Sequence, residues 1–272
     1  MRSAVQYTKS FGFQWLKHAR TQLDSHVGKP ISRNRLFSVT EWPLRMEGQR
    51  ILEAGSGAGR FTEILLSTGA EVWSFDSSDA VEANRANNGH HRNLRLFHAD
   101  IFNIPDTIGL FDKVICLGVL QHTPDPKRGF FELVKFVKPG GEIAMDVYKK
   151  TWVTILQWKY LLRPLTERLP PRLLYACIRA FVPFFLPVLR IAKKICGRSA
   201  ARLFPFVEYG ELGLSPVLNR EWAILDTFDM YSPRYDTPQT LEEVRRWFTN
   251  AGLIDVDVRY GPNGIVGKGR KP

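Results

Sequence analysis

Short strand-like runs alternate with helical segments between residues 49 and 148. The runs are rich in β-branched, aromatic and other apolar residues, and turn signals separate them from the helical stretches. The candidate strands are residues 50–54, 71–75, 94–98, 113–117 and 142–147, the last after a tight turn at residues 139–141. Short connections of this kind require parallel strands joined by right-handed crossovers. The sequence therefore predicts a doubly wound α/β fold.

The alternation resumes near the C-terminus. A helical segment begins after Thr240, which is spaced from Glu243 as in a capping box. Residues 254–258 and 265–268 then flank a turn at residues 261–264, which predicts an antiparallel hairpin. The whole prediction is a mostly parallel, seven-stranded sheet with this hairpin at its C-terminal end.

The strongest functional signal is the segment Glu53-Ala-Gly-Ser-Gly-Ala-Gly-Arg60, which follows a strand and opens a helix. Its glycines allow a sharp turn and let a ligand lie against the backbone. Asp76 ends the next strand, where an acid can accept both hydroxyls of a ribose. Arg60 replaces the third glycine of the dinucleotide fingerprint, and the Glu53 carboxylate would repel a pyrophosphate. A ribose-bearing, positively charged cofactor therefore fits better than NAD.

The order of several motifs resembles that of class I S-adenosylmethionine-dependent methyltransferases. The motifs are the loop from Glu53 to Gly59, Asp76, His98-Ala-Asp100-Ile101, the run from Phe111 to His122, and Val137-Lys-Pro-Gly-Gly141. The resemblance covers residues 49–148 closely and residues 237–268 more loosely. It implies a Rossmann-like fold and transfer of a methyl group from S-adenosylmethionine, but it does not specify the acceptor. An apolar, basic segment at residues 151–206 favours a small-molecule, glycan or lipid-linked acceptor. We expect an oxygen acceptor rather than a carbon one.

The resemblance also implies how the first half of the cofactor is held. Gly55, Ser56 and Gly57 would run along the methionine part, and Glu53 would lie near its amino group. Asp76 would hold the ribose hydroxyls.

The remaining cofactor contacts implied by the resemblance follow the later strands. Ser77 would lie beside the ribose. Asp100 would accept a hydrogen bond from the adenine amino group, and Ile101 would pack on the adenine ring. Leu117 and Gly118 would line the side of the methyl donor.

His122 is the candidate catalytic residue. Methyl transfer from a sulfonium is an in-line displacement, so the protein mainly aligns donor and acceptor. A hydroxyl acceptor must also lose a proton, and a histidine is suited to accept it. His122 follows the fourth strand at the ligand-facing edge and is predicted to be this base. In the family that this chain resembles, a histidine at this position often only shapes the pocket. A role as base and a role in shaping the pocket therefore both stay open.

Three segments follow from these patterns. Residues 1–48 are expected to form an N-terminal arm or cap. Residues 49–150 and 237–272 form the predicted methyltransferase domain. Residues 151–236 interrupt it as a helical, basic and apolar insertion, placed on the acceptor side or as a lid.

The positive charge is concentrated in that insertion. The formal net charge is +11, and residues 151–206 alone contribute +9, with Glu167 as their single acid. An RNA or other nucleic-acid methyltransferase is the alternative function, because this charge could bind phosphates. However, the segment is dominated by aliphatic and phenylalanine residues, so nucleic acid is the less favoured partner. A scaffold without activity is disfavoured because the cofactor loop and its acids are intact.

Residues 173–192 contain 16 apolar residues out of 20, which raises the question of a transmembrane helix. Two arginines lie within this stretch, and Pro183 and Pro187 are expected to break or kink a helix. Basic residues at helical spacing within residues 172–194 indicate instead an amphipathic segment in a membrane interface or an apolar lid. Plain packing of these helices on the sheet and on each other is the alternative, with the arginines outward.

Cysteine and histidine usage predicts no metal site. The three cysteines form no CxxC pair, and the histidines have no ligand spacing with them. The first residues carry no apolar run behind Arg2 and Lys9, so no secretory signal is expected. We expect a cytoplasmic protein that contacts a membrane, if at all, peripherally through residues 172–194.

Two aromatic segments are weaker candidates. Residues 11–15 and Trp42 precede the first strand and would either cover the cofactor cleft or anchor the core. Residues 231–235 precede the last helix and are an acceptor-site candidate.

Overall fold

The computed structural model describes residues 8–152 and 154–272. Arg2, considered above for a secretory signal, lies outside these residues. The strands are β1 (Arg50–Ala54), β2 (Glu71–Asp76), β3 (Leu94–His98), β4 (Phe111–Cys116), β5 (Val137–Val147), β6 (Ile254–Gly261) and β7 (Gly264–Arg270). The helices are α1 (Lys9–Lys17), α2 (Asp24–Val27), α3 (Ile31–Thr40), α4 (Arg60–Leu66), α5 (Ala80–Asn88), α6 (Pro126–Lys135), α7 (Trp158–Thr166), α8 (Pro171–Cys196), α9 (Pro216–Tyr231) and α10 (Leu241–Asn250).

The strands form one seven-stranded sheet in the order β3-β2-β1-β4-β5-β7-β6. β7 pairs antiparallel with β5 and β6, and the other pairs are parallel. The predicted fold class is therefore confirmed, including the C-terminal hairpin. The strand order reverses direction between β1 and β4, and ligands of such sheets bind beyond the carboxyl ends of the strands at that point.

The start of β5 differs from the prediction. The strand begins at Val137 instead of after the glycines, and its pairing with β4 jumps from Val137 to Glu142. The intervening residues are held by the C-terminal segment, since Gly140 N donates to Lys271 O and Lys271 N donates to Gly141 O, both at 2.9 Å. A residue distant in sequence thus turns the expected tight turn into part of the strand.

The two faces of the sheet bury different residues because strand side chains alternate. One face packs against α6 and α10, and α10 starts with the predicted capping box of Thr240 and Glu243. The other face packs against α3 and α4, with Leu36 and Val39 of α3 fully buried. The segment expected to be an arm therefore supplies one helix of the sheet's own covering layer.

The helices between β5 and α10 have a core of their own. In α8 a buried stripe of Leu174, Ile178, Val182, Leu186 and Leu189 packs with α9. α8 runs unbroken through both of its internal prolines, so a break is wrong, while the other expected outcome, a kink, stays a prediction. Burial of the stripe offsets the hydrogen bonds that each proline removes. The stripe packs on α9 and neighbouring helices, as expected where these helices pack on each other.

Candidate active site

The loop after β1 requires glycine at its first positions. Gly55 and Gly57 have φ of +74° and +51°, a region that side chains with a Cβ rarely adopt. A Cβ on Gly55 would also lie 2.3 Å from Val119, and one on Gly57 would lie 3.2 Å from the Trp15 ring. The loop is fastened to β2, because the backbone N–H groups of Gly55 and Ser56 both donate to Phe75 O. A bare backbone surface therefore faces the cleft.

Asp76 is fixed beside this loop. One carboxylate oxygen accepts a hydrogen bond from Gly57 N at 2.9 Å. The other accepts hydrogen bonds from Ser78 N at 2.8 Å and from Ser78 Oγ at 2.7 Å. A carboxylate has about four acceptor positions, so these three bonds orient the group and leave it able to accept from a ligand.

A cleft of about 540 Å³ opens at this edge of the sheet, within the size range of small-molecule sites. Most of the residues singled out from the sequence line it. They are Gly55, Ser56, Gly57, Asp76, Ser77, Ile101, Leu117, Gly118 and His122. Glu53 and Asp100 are not among the lining residues.

Glu53 lies buried in β1 beneath the loop. Its Oε2 accepts from Thr62 Oγ1 at 2.5 Å and Ser74 Oγ at 2.7 Å, while Oε1 has no hydrogen-bond partner among the described residues. Burial raises the pKa of this carboxyl to about 7, although the two hydroxyls oppose the shift. Its predicted contact with a cofactor amino group stays a prediction.

Asp100 shapes the turn after β3. Its Oδ1 accepts from Phe102 N at 2.9 Å. The neighbouring Ala99 and Ile101 line the cleft and give it an apolar wall. The adenine contact predicted for Asp100 stays a prediction, and Ile101 is placed where a ring could pack.

His122 is buried with its two ring nitrogens in different surroundings. Nδ1 lies 3.1 Å from Tyr235 O, so the proton sits on Nδ1 and is donated to this carbonyl. Nε2 has no hydrogen-bond partner among the described residues and lies 3.9 Å from Asp229 Oδ2. Burial lowers the pKa of His122 below its usual 6.5, while Asp229 and Asp236 act in the opposite direction. The imidazole is therefore neutral at pH 7 with a free basic nitrogen.

The helix α9 brings two carboxylates to the cleft, Asp226 and Asp229. Asp226 accepts from Gln22 Nε2 at 3.0 Å and from the Tyr209 hydroxyl, and burial raises its pKa to about 6. Asp229 accepts from Tyr148 at 3.4 Å. Neither acid was predicted from the sequence to be a site residue. The signal that could have found them is their spacing of three residues within an apolar helix, which places them on one face.

Two arginines stabilise the walls of the cleft. Arg35 of α3 pairs with the fully buried Asp146 at 2.6 Å, and Asp146 also accepts from Gly118 N at 2.5 Å. Burial lowers the pKa of the Arg35 guanidinium, but the negative charge of Asp146 raises it by more, so the pKa lies above its usual value. Arg60 donates to Gln22 Oε1 at 2.5 Å, and burial lowers its pKa to about 10. Arg60 thus ties the cofactor loop to the N-terminal segment.

The aromatic candidates divide between cleft and core. Phe11 and Trp15 of α1 line the cleft, and the Phe11 ring centroid lies 5.1 Å from that of His122. Trp42 is buried in the core of the sheet. Tyr231 packs in the core of α8 and α9, and Tyr235 contributes its carbonyl oxygen to His122.

The strand order, the glycine loop after β1 and the acid at the end of β2 together define a class I S-adenosylmethionine-dependent methyltransferase fold. Residues 52–145 match the family model described as "Methyltransferase domain". Residues 52–145 therefore carry a methyltransferase domain, and S-adenosylmethionine is the cofactor of the class that this fold defines.

Curated relatives and solved structures agree with this assignment. The chain is 26% identical over 144 residues to a ubiquinone biosynthesis O-methyltransferase of Coxiella burnetii and 30% identical over 150 residues to that of Erwinia tasmaniensis. The matches cover 52% and 50% of this chain, and the chain spans 60% of the length of each relative. The fold is similar to that of the methyltransferase in a complex with the Haloferax volcanii Trm112 methyltransferase activator. That match has a TM-score of 0.51 and 14% identity, and it covers 97% of this chain and 98% of the other. An O-methyltransferase family protein from Burkholderia thailandensis gives a TM-score of 0.51 at 11% identity, covering 89% and 56%.

Proposed function

We propose that this protein is an S-adenosylmethionine-dependent methyltransferase that methylates an oxygen atom of a small-molecule, glycan or lipid-linked acceptor. The observation that carries the proposal is the composition of one cleft. The glycine loop and Asp76 line it together with His122, whose Nε2 is free to accept a proton. The predicted cofactor site and the proposed base thus line one cleft.

The residues present fit S-adenosylmethionine. Gly55 and Gly57 line the cleft with bare backbone, and the anchored Asp76 carboxylate offers an acceptor for ribose hydroxyls. The apolar wall at Ile101 suits a purine ring, and Leu117 and Gly118 lie after β4. When bound, the cofactor supplies a methyl group activated on a positively charged sulfur.

His122 then acts on the acceptor hydroxyl. The bond from Nδ1 to the Tyr235 carbonyl holds the ring so that Nε2 can take the proton from the attacking oxygen. The resulting imidazolium is stabilised by Asp229, which lies 3.9 Å from Nε2. The packed rings of Phe11 and Tyr148 restrict the imidazole and exclude water from it.

The reacting part of the acceptor is polar. Gln14 is buried and its Oε1 has no hydrogen-bond partner among the described residues, and it lines the cleft with His122. Unpartnered buried polar atoms of this kind are places where a ligand hydroxyl can bond. Asp229 and Tyr160 extend the polar wall. The relatives named as ubiquinone biosynthesis O-methyltransferases support oxygen as the methylated atom.

Nucleic acid is a weaker proposal for the acceptor. Several cations of the basic segment pair with carboxylates of the protein: Lys159 with Asp236, Lys193 with Glu208, and Arg163 with Glu167. Such charges are compensated and cannot release phosphate counterions.

Two measurements test the proposal. Calorimetric titration with S-adenosylhomocysteine should show binding that is strongly weakened in Asp76→Ala. Transfer of labelled methyl from S-adenosylmethionine should then be measured on a catechol with a prenyl chain, a lipid-linked sugar and RNA. Binding without transfer to the catechol or the sugar, combined with transfer to RNA, would replace this proposal with the nucleic-acid one. The absence of binding would refute both.

A further inference from the structure

The outward side of α8 is an exposed apolar surface. Five large side chains recur on the arc opposite the buried stripe, and we call them the outer face. They are Leu173, Phe184, Val188, Ile191 and Ile195. Phe184 and Ile195 are 73% and 77% exposed. α8 is also the one helix in the described part of the chain that is long and apolar enough to cross a membrane by length and composition, with 33% of the relevant window buried. Several large apolar side chains exposed on one side of a helix are typical of an interaction site.

A basic edge flanks the outer face. Arg172, Arg179, Arg190 and Lys194 are exposed on one side of α8, and none forms an ion pair with a described acidic residue. At 100° per residue they lie about a quarter turn from the apolar arc, between it and the buried stripe. A helix with an apolar face and a basic edge suits the boundary between acyl chains and anionic headgroups.

A groove between α1 and α8 extends this edge. Lys17, Arg172 and Arg179 line it together with the rings of Phe13 and Tyr175. The Lys17 ammonium lies over the Tyr175 ring, 4.9 Å from its centroid. Three cations that converge on one groove favour a phosphate group.

We propose that this surface docks on an anionic phospholipid bilayer. α8 lies parallel to the membrane with its outer face at the acyl boundary, and the groove of Lys17, Arg172 and Arg179 takes a lipid phosphate. Charge complementarity selects this occupant, because a second copy of the chain would bring the same basic edge against itself. A membrane span is disfavoured because the buried stripe of α8 already packs with α9.

The helix α1 connects this surface to the cleft. Phe11, Gln14 and Trp15 on one side of α1 line the cleft, while Phe13 and Lys17 on another side line the groove. Resting on the proposed function, the docked enzyme would therefore hold its cleft close to the headgroup layer. A membrane-held acceptor could place its polar end in the cleft while its apolar chain stays in the lipid.

Vesicle flotation of the full chain tests the proposal. The protein should float with vesicles of equal parts phosphatidylcholine and phosphatidylglycerol and much less with phosphatidylcholine alone. Phe184→Asp combined with Ile195→Asp should abolish flotation. Arg172→Ala combined with Arg179→Ala should weaken binding to the anionic vesicles about thirtyfold, as expected for the loss of two cations near an anionic surface.

Matched controls keep the result specific. Leu44→Asp replaces an apolar residue that is 58% exposed before β1, and Arg92→Ala combined with Arg95→Ala removes two exposed arginines near β3. Both variants should float like the unmodified protein. Titration with S-adenosylhomocysteine on every variant reports the fold and the cofactor site independently of lipid.

Three outcomes would overturn the proposal. In the first, the protein binds S-adenosylhomocysteine but does not float with anionic vesicles. This outcome would leave the proposed function intact. Another is binding of inorganic phosphate that needs Arg172 and Arg179 without any vesicle binding, which would make the groove a site for free phosphate. The third is sedimentation as a dimer that Phe184→Asp dissociates, again without vesicle binding, which would make the outer face an interface between copies.

Discussion

His122 Nε2 and Asp229 Oδ2 lie 3.9 Å apart, although one residue follows β4 of the sheet and the other lies in α9 of the helical segment. The distance is too long for a hydrogen bond but short enough for Asp229 to stabilise a positive charge on the imidazole. The two parts of the chain therefore meet at the proposed base.

The activity should fall on the acid side at a pH below 6.5. Burial lowers the pKa of His122, so the base is neutral at and above pH 6.5 and is lost only when the pH falls further. Asp229 raises that pKa, so Asp229→Asn should shift the acid limb of the profile of kcat/KM to still lower pH. If the acid limb of Asp229→Asn falls at the same pH as that of the original protein, the ionisation belongs to another group.

Replacing His122 should affect turnover and spare cofactor binding. His122→Gln removes the base, and kcat should fall by a factor of about 10² to 10⁴. The affinity for S-adenosylhomocysteine, measured by calorimetry, should stay within about twofold of the original. Near-normal turnover would leave His122 only a role in shaping the pocket.

The cofactor loop should not tolerate alanine at Gly55. The positive φ and the 2.3 Å approach to Val119 both oppose a Cβ, so Gly55→Ala should abolish binding of S-adenosylhomocysteine. Gly252→Ala is the matched control, because Gly252 has φ of +69° with no atom within 4 Å of the added Cβ. That variant should lose about 1 kcal/mol of stability and keep its affinity. Equal losses of affinity in both variants would indicate general strain instead of a cofactor site.

Asp76 should contribute strongly to cofactor affinity. Asp76→Ala removes an acceptor for the ribose hydroxyls and leaves Gly57 N without its hydrogen-bond acceptor. Binding of S-adenosylhomocysteine should therefore weaken by a factor of about 30 to 1,000. Asp79→Ala removes a nearby exposed acid that makes no cap hydrogen bond, and it should change affinity little. Similar affinities for the two variants would contradict the ribose role of Asp76.

Glu53 should make the fold less stable as the pH rises. Its pKa is 4.5 unperturbed and about 7 when folded, so the folded state holds the proton more tightly. The free energy of unfolding should therefore fall between pH 4.5 and 7, by about 3 kcal/mol from this group. Urea denaturation at pH 5 and pH 8 should show a larger loss in the original protein than in Glu53→Gln, which lacks the ionisation. An equal pH dependence would show that Glu53 keeps its normal pKa in the fold.

Much of the α/β domain could be predicted because its determinants are local. The alternation of apolar runs, the glycines at 55–59 and the acid at the end of β2 each act within a few residues or at fixed spacing. Most of the predicted cofactor residues line the cleft for this reason. Glu53 does not, because alternation along β1 turns its side chain into the layer between sheet and helices, against Thr62 and Ser74.

The sequence by itself determined the sheet, the cofactor loop and the position of His122, since hydrophobic periodicity and backbone freedom are encoded at each position. Only the tertiary structure decided which distant side chains meet. Gln22 and Asp226, 204 positions apart, bond across the cleft, and Arg35 reaches Asp146 from a helix that looked like part of an arm. It also decided that α8 continues through Pro183 and Pro187, because packing against α9 outweighs the local preference of proline to end a helix. Such contacts depend on the summed burial of the whole fold, which no local spacing in the chain records.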